Sequence, residues 1–265
     1  MAPFRIIGNI YYVGASDVTS YLIKTPAGDI LLDGGLPETA PMIEKNIATL
    51  GFHLKDVKYL LNSHAHFDHA GGLAELKRAT GAKMLASRGD APLLERGGHH
   101  DFAFGDQYPF ASVKVDKVFD DGAVVSLGGA TLTAHVTPGH TKGCTTWTMP
   151  VVEAGKTYNV VFFCSTSAPG YRLTGNPNYP NMVADYESSF ARLRQLPCDV
   201  FLGAHGNFFH LKEKRQRLAK GGPNPFIQPG EFQAYLTHSQ EDFERTLRQQ
   251  RSEIHSQKPA ASKSK

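Results

Sequence analysis

Three imidazoles and one carboxylate crowd into the segment Asn62-Ser63-His64-Ala65-His66-Phe67-Asp68-His69-Ala70-Gly71-Gly72. In an extended stretch, side chains two residues apart point to the same side, so His64 and His66 can grip one ion together. Asp68 and His69 follow a turn later and can reach a second ion. Imidazole nitrogen and carboxylate oxygen are donors that zinc takes, and a zinc site that keeps a coordination position open is a catalytic one. The plain alternative is a polar surface loop with clustered histidines. Chance seldom yields HxHxDH in a chain with 12 His among 265 residues, and metal ligation is the stronger reading. Two more histidines share the setting. His140, in Thr137-Pro138-Gly139-His140-Thr141, and His205, in Leu202-Gly203-Ala204-His205-Gly206, each stand past a strand-like run and a turn of small residues. A lone histidine is ordinarily a packed or surface residue. These two repeat the strand-end placement of the first motif, which makes them candidates to complete two ligand sets.

The elements that must hold these residues are legible as hydrophobic patterns. IYYV, SYLIKT and DILLDGG read as strands, with Pro26-Ala27-Gly28-Asp29 as the turn between the last two. Residues 38–50 place Ala40, Met42, Ile43, Ile47 and Leu50 at helical spacing, and Val57–Leu61 reads as a short buried strand. After a loop over 62–70 come a helix over Gly71–Ala79, a strand at 84–87 and a short helix near 90–95. A Gly- and His-rich loop spans roughly 96–112. VKVDKVF, AVVSLGG, TLTAHVT, CTTWTM and YNVVFFC form a second β-rich series, followed by a helix over 185–196 and the strand DVFLGAH. A charged helix from about 229 ends in AASKSK, and residues 258–265 are expected to be disordered. Two similar halves, each a sheet with helices outside, predict a four-layer α/β/β/α sandwich over residues 1–257, with no linker and hence one domain.

Composition narrows the function class. A net charge of +3, from 28 basic and 25 acidic residues, with no basic stripe between aromatics, argues against a nucleic-acid partner. No apolar run approaches a membrane span. The opening residues lack a basic, apolar leader, so the expected location is periplasmic or secreted with the leader removed, and the cytoplasm stays open. Cys144, Cys164 and Cys198 contain no CxxC pair, and all three read as small buried side chains with at least one free thiol.

HAHFDH, PGHT and GAHG occur in the order of the metal motifs of the metallo-β-lactamase superfamily, which the sequence resembles from IGNIYYVG to the helix after His205. The resemblance implies His64, His66 and His140 on a first zinc ion and Asp68, His69 and His205 on a second. It also exposes a departure. Thioesterases, lactonases, RNA-processing nucleases and flavo-di-iron proteins of the superfamily carry a bridging Asp on the strand that here runs from Val160 to Cys164, but this chain continues Cys164-Ser165-Thr166-Ser167. Lactamases replace that Asp. One of their subclasses puts Cys there and lacks the counterpart of His69. Ser165 together with His69 matches subclass B3. Cys164 is the lesser candidate for that position, because neighbouring side chains in a strand alternate.

The segment Ser165–Tyr171 and the downstream GNPNYP resemble the same subclass. By that resemblance Ser165 and Ser167 bind the substrate carboxylate and Tyr171 donates to the developing oxyanion. The alternatives are turn hydrogen bonding for the serines and wall packing for Tyr171. The expected activity is hydrolysis of the amide of penicillins, cephalosporins and carbapenems by zinc-activated water, oriented by Asp68, with no covalent intermediate. A thioester or lactone hydrolase on the same fold and a mononuclear iron persulfide dioxygenase are the competing readings. The partner is then a small-molecule β-lactam and the protein a monomer. Asp33, before Gly34-Gly35, would orient a ligand histidine from behind. His99 and His100 read as an exposed rim with Phe102 and Phe104, and the loops 14–19, 97–112 and 168–182 as the determinants of substrate preference. The cystine that the family often forms between a Cys near 198 and a later one has no partner here.

Overall fold

Alternation along short strands builds the frame. In the computed structural model, which describes residues 1–257, seven strands join in chain order into one sheet. They are β1 (Phe4–Ile7), β2 (Ile10–Tyr12), β3 (Tyr21–Thr25), β4 (Gly28–Leu32), β5 (Val57–Leu61), β6 (Lys83–Ser87) and β7 (Lys117–Phe119). β1 to β4 pair antiparallel, as hairpin-length connections allow, and β4 to β7 pair parallel. The parallel crossovers carry α1 (Ala40–Thr49), α2 (Phe67–Ala70), α3 (Leu73–Thr80) and α4 (Ala91–Glu95). The second sheet contains β8 (Val124–Leu127), β9 (Ala130–Val136), β10 (Thr145–Glu153), β11 (Lys156–Phe163) and β12 (Val200–Gly203), in the order β12-β11-β10-β9-β8. α5 (Met182–Leu193) makes the crossover between the parallel β11 and β12, and α6 (Leu211–Ala219) and α7 (Glu231–Gln257) follow.

The period of two sorts side chains into layers. Tyr21, Ile23, Ile30, Leu32 and Leu61 face the second sheet, whereas Leu22, Leu31 and Leu60 pack with Ile43, Ile47, Leu73 and Leu76 of α1 and α3. In β11, Phe162 meets Tyr21 across the sheets at 5.2 Å, and its neighbour Phe163 meets Phe232 of α7 at 5.5 Å. Each fully buried side chain of this size contributes about 1.5–3 kcal/mol, so the two sheets and their outer helices are held mainly by these faces. The four layers are those expected. No helix among the described residues is long and apolar enough to cross a membrane.

Several details differ from the pattern reading. Phe4–Ile7 is a strand, and the loop 62–70 contains the single helical turn α2. VKVDKVF contributes only Lys117–Phe119, because the chain before it is pinned as a loop by Val113 N–H to Leu94 and Asp116 N–H to Met84. The helix expected over 185–196 is Met182–Leu193, which brings Met182, Tyr186 and Phe190 onto one buried face. The tail 258–265 lies outside the described residues.

The cysteine reading is corrected. Cys144 and Cys164 form a disulfide with Cα atoms 6.0 Å apart. β10 and β11 pair antiparallel with Trp147 opposite Phe162, so their ends bring these two residues side by side. That pairing removes Cys164 as a thiolate ligand. Cys198 stays free, and burial pushes its thiol up to about 12.

Candidate metal centre

Six strands point their C-terminal ends to one edge of the sandwich, and each feeds a loop with a polar side chain. β5 leads to His64, His66, Asp68 and His69, β9 to His140, and β12 to His205. β4 leads to Asp33, β6 to Asp90 and β11 to Ser165. Crosslinks between the sheets set the loops against each other. Thr145 N–H donates to Ser63 O at 2.7 Å, and the buried Trp147 indole donates to Asn62 O at 3.1 Å. The Thr19 hydroxyl donates to Gly203 O at 2.7 Å, as does the Tyr21 hydroxyl.

The histidines and Asp68 converge on two adjoining points. His140 Nε2 lies 3.1 Å from His64 Nε2 and 3.2 Å from His66 Nδ1. His69 Nε2 lies 3.2 Å from His205 Nε2, and Asp68 Oδ2 lies 3.4 Å and 3.5 Å from those two nitrogens. The ligating atoms of His64, Asp68 and His69 also fall within 4.8 Å of one another, which places the two groups side by side. A tetrahedral zinc with bonds of about 2.0–2.1 Å holds its nitrogens about 3.3–3.4 Å apart, close to the spacing seen. Hydrogen bonding alone does not account for it, since His140 Nε2 faces two ring nitrogens at once.

The outer ring nitrogens support the same conclusion. A ligating imidazole donates its other N–H to an acceptor, which sets tautomer and ring orientation. His64 Nδ1 meets Ser63 Oγ at 3.0 Å, and His140 Nδ1 meets Ser167 O at 2.8 Å. His205 Nδ1 meets Asp17 Oδ2 at 3.2 Å, and His69 Nδ1 faces Asp33 Oδ2 at 3.5 Å. Asp33 fills the supporting place expected of it. It adopts φ 65°, a left-handed geometry that Asp tolerates better than most residues, and its Oδ1 accepts Ser63 N–H at 2.6 Å.

Titration follows from the surroundings. Burial, reinforced by the neighbouring imidazoles, holds His64 well below the usual histidine range, so its ring is neutral with a lone pair to give. Burial likewise lowers His140 well below its ordinary value and His66 to about 4. Burial opposes the charged forms of Asp68 and His69 too, but here it loses. The facing His69 ring holds the Asp68 carboxyl far below the carboxylate range, and Asp68 and Asp33 raise His69. The donor set fits a divalent ion: neutral inward lone pairs on His64, His66 and His140, and one ionised carboxylate beside His69.

The remaining candidates are placed as follows. Ser165 is buried, its Oγ 3.0 Å from Ser167 Oγ and accepting Ser167 N–H at 3.1 Å. The Ser167 hydroxyl reaches His140 Nδ1 at 3.4 Å. The buried Tyr171 hydroxyl donates to His140 O at 3.0 Å, and its ring stacks near that imidazole at 5.9 Å. His99 and His100 sit on the exposed rim with Asp106, as read. Asp17, Asp90 and Asp101 were not singled out from the sequence. In the centre Asp90 reaches Ala65 across 25 residues, Asp17 reaches His205 across 188 and Asp101 faces His66 from another loop, so no local pattern marks them.

A family model described as the metallo-beta-lactamase superfamily matches residues 13–205. Among solved structures, the native FEZ-1 metallo-beta-lactamase from Legionella gormanii is 45% identical with a TM-score of 0.93, over 95% of this chain and 97% of that one. BJP-1, a subclass B3 metallo-beta-lactamase of Bradyrhizobium japonicum, is 44% identical with a TM-score of 0.90, over 96% of each chain. Among curated proteins, a hydroxyacylglutathione hydrolase of Anaeromyxobacter dehalogenans is 31% identical over 127 residues, 48% of this chain and 40% of that protein. One of Bradyrhizobium sp. is 30% identical over 188 residues, 71% of this chain and 61% of that protein. The chain spans 30% to 40% of the first three such relatives' lengths.

Proposed function

We propose, from the premise that this chain belongs to the metallo-beta-lactamase superfamily, that it opens the four-membered ring of β-lactam antibiotics with two zinc ions. The chain is a metal-dependent hydrolase. The observation that carries the finer reading is the make-up of the second ligand group, where Asp68, His69 and His205 meet at 3.2–3.5 Å while the loop after β11 carries Ser165 instead of a carboxylate. The similarity to subclass B3 lactamases over nearly the whole chain supports it.

His64, His66 and His140 would hold one ion, and Asp68, His69 and His205 the other. When bound, such ions make hydroxide available at neutral pH and polarise a carbonyl. The protein's own groups do the rest. Asp68, ionised and with its side chain 22% exposed, can orient the attacking water. With a single carboxylate among six donors, the site keeps strong positive charge, which suits an anionic substrate and the anion left by C–N cleavage. Ser167 is the more accessible of the two serines and is the candidate contact for a substrate carboxylate, with Ser165 fixing its hydroxyl. Phe104 and Tyr108 line the rim that keeps water from the lactam. The Cys144–Cys164 bond supports residence in an oxidising compartment, and we place the protein in the periplasm as a monomer.

The test is hydrolysis of a chromogenic cephalosporin by zinc-loaded protein, with a chelator control and Asp68→Ala. Chelator-sensitive turnover that the substitution abolishes is the expected result. Absence of turnover with zinc bound would overturn the lactam assignment and leave the metal centre intact. The curated matches to hydroxyacylglutathione hydrolases favour a second reading, thioester hydrolysis, and a glutathione thioester belongs in the same assay.

A further inference from the structure

His66 Nε2 and Asp101 Oδ2 are both buried and lack a hydrogen bond, and they face each other at 3.8 Å with side chains only 6% and 5% exposed. The other oxygen of Asp101 is fully engaged. Oδ1 accepts the N–H groups of Ala103 at 2.7 Å and Phe104 at 2.9 Å, and the backbones of Asp101 and Gly105 exchange two hydrogen bonds of 3.0 Å. The tight turn so closed carries two aromatic rings of the rim. Phe104 packs on the His66 ring at 5.3 Å and on Tyr108 at 5.4 Å. Phe102 lies edge-on to Tyr171 at 5.4 Å and Tyr179 at 4.9 Å.

The three histidines of the first group do not present the same atom. His64 and His140 turn Nε2 inward, whereas His66 turns Nδ1 inward. Ligation through Nδ1 requires the proton on Nε2, and a buried N–H without an acceptor is costly. The carboxylate placed to accept it belongs to Asp101, and the gap exceeds a normal hydrogen bond by only about 1 Å.

We propose that Asp101 is a positioning residue that fixes His66 in its Nδ1-inward orientation with one carboxylate oxygen and ties it to the aromatic rim turn at 101–105 with the other. Metal loading and rim order are thereby coupled. This rests on the reading of His66 as a ligand, and the experiment is independent of any lactam.

Zinc affinity is measured by competition with a chromogenic chelator for the wild type and Asp101→Asn. The amide keeps an oxygen for the Ala103 and Phe104 N–H groups and removes the charge facing His66. A loss of about 10–100-fold in affinity is expected, the range for outer partners of metal-bound histidines. In the wild type, zinc should slow hydrogen exchange at the amides of Ala103 and Phe104, and in Asp101→Asn this slowing should disappear. An affinity within twofold of wild type, or exchange at these amides that zinc does not alter, overturns the proposal. Should Asp101→Asn fail to fold, imidazole NMR of the zinc-loaded wild type decides. A slowly exchanging, downfield His66 Nε2–H supports the contact, and a rapidly exchanging one refutes it. Wild-type protein that takes up no zinc would instead overturn the metal-centre reading itself.

Discussion

Asp90 is the residue on which the geometry of the centre can be tested through stability alone. Its carboxylate is 1% exposed. Oδ2 accepts Ala65 N–H at 3.0 Å and the Thr141 hydroxyl at 2.8 Å, and Oδ1 accepts Gly143 N–H at 2.9 Å. Ala65 stands between His64 and His66, and Thr141 follows His140, so one side chain spans both loops of the first ligand group. Burial nonetheless outweighs the three donors and pushes the carboxyl up to about 6 from an ordinary 3.8. A carboxyl raised on folding favours the native state most while protonated. Its contribution is full below about pH 4 and is lost as pH climbs through about 6. The shift of about 2 units corresponds to about 3 kcal/mol. Asp90→Asn cannot ionise, so it lacks this slope. Its amide also turns N–H toward at least one former donor, which costs about 1–3 kcal/mol at every pH. The variant should therefore be the less stable protein near pH 4 and should equal or exceed the wild type near pH 7. Urea unfolding of the zinc-free proteins across that range measures the difference, in which the titration of His69, Asp68 and other shared groups cancels. Parallel curves, with a difference constant to within about 0.5 kcal/mol, would show that Asp90 stays ionised on folding and would refute the reasoning.

Two further outcomes are expected. The Cys144–Cys164 bridge spans 20 residues, for which loop closure predicts about 3 kcal/mol. Replacing both cysteines by Ser should thus lower the melting temperature by roughly 6–12 °C in a chain of this size, and reductant should do the same to the wild type; a drop below about 2 °C would mean that the thiols are not paired. Tyr171→Phe should reduce kcat less than about tenfold, because the hydroxyl supports the His140 backbone; a fall of about 10²–10³ would put it in the oxyanion hole instead.

What could be read from the sequence was whatever depends on neighbours in the chain. HxHxDH is local, and the alternation in Tyr21-Leu22-Ile23 and Ile30-Leu31-Leu32 assigns two faces to each strand before any partner is known. The strand-end placement of His140 and His205 was legible for the same reason. Asp90 occupies the N-cap position of α4, but it makes no cap bond and turns its carboxylate to loops 25 and 53 residues away. Asp17 reaches His205 across 188 residues. Cys144 and Cys164 were opaque because their pairing depends on the register of a hairpin, and a slip of one residue would part them. Tyr171 was assigned a role by resemblance, whereas its hydroxyl direction depends on where the His140 carbonyl lies.

These distant partners explain why the centre and the fold are hard to separate. The outer nitrogens of His64, His140 and His205 meet Ser63, Ser167 and Asp17, and those of His66 and His69 face Asp101 at 3.8 Å and Asp33 at 3.5 Å, on five different loops. Their inner nitrogens crowd together at 3.1–3.2 Å, where neutral lone pairs repel one another unless a proton or a cation lies between them. A divalent ion held between these nitrogens would add directly to folding stability. The sheets beneath are packed by apolar faces that do not depend on the ion, so removal of metal should loosen the loops around Asp33, His64, His140 and His205 before it disturbs Tyr21, Phe162 or Trp147.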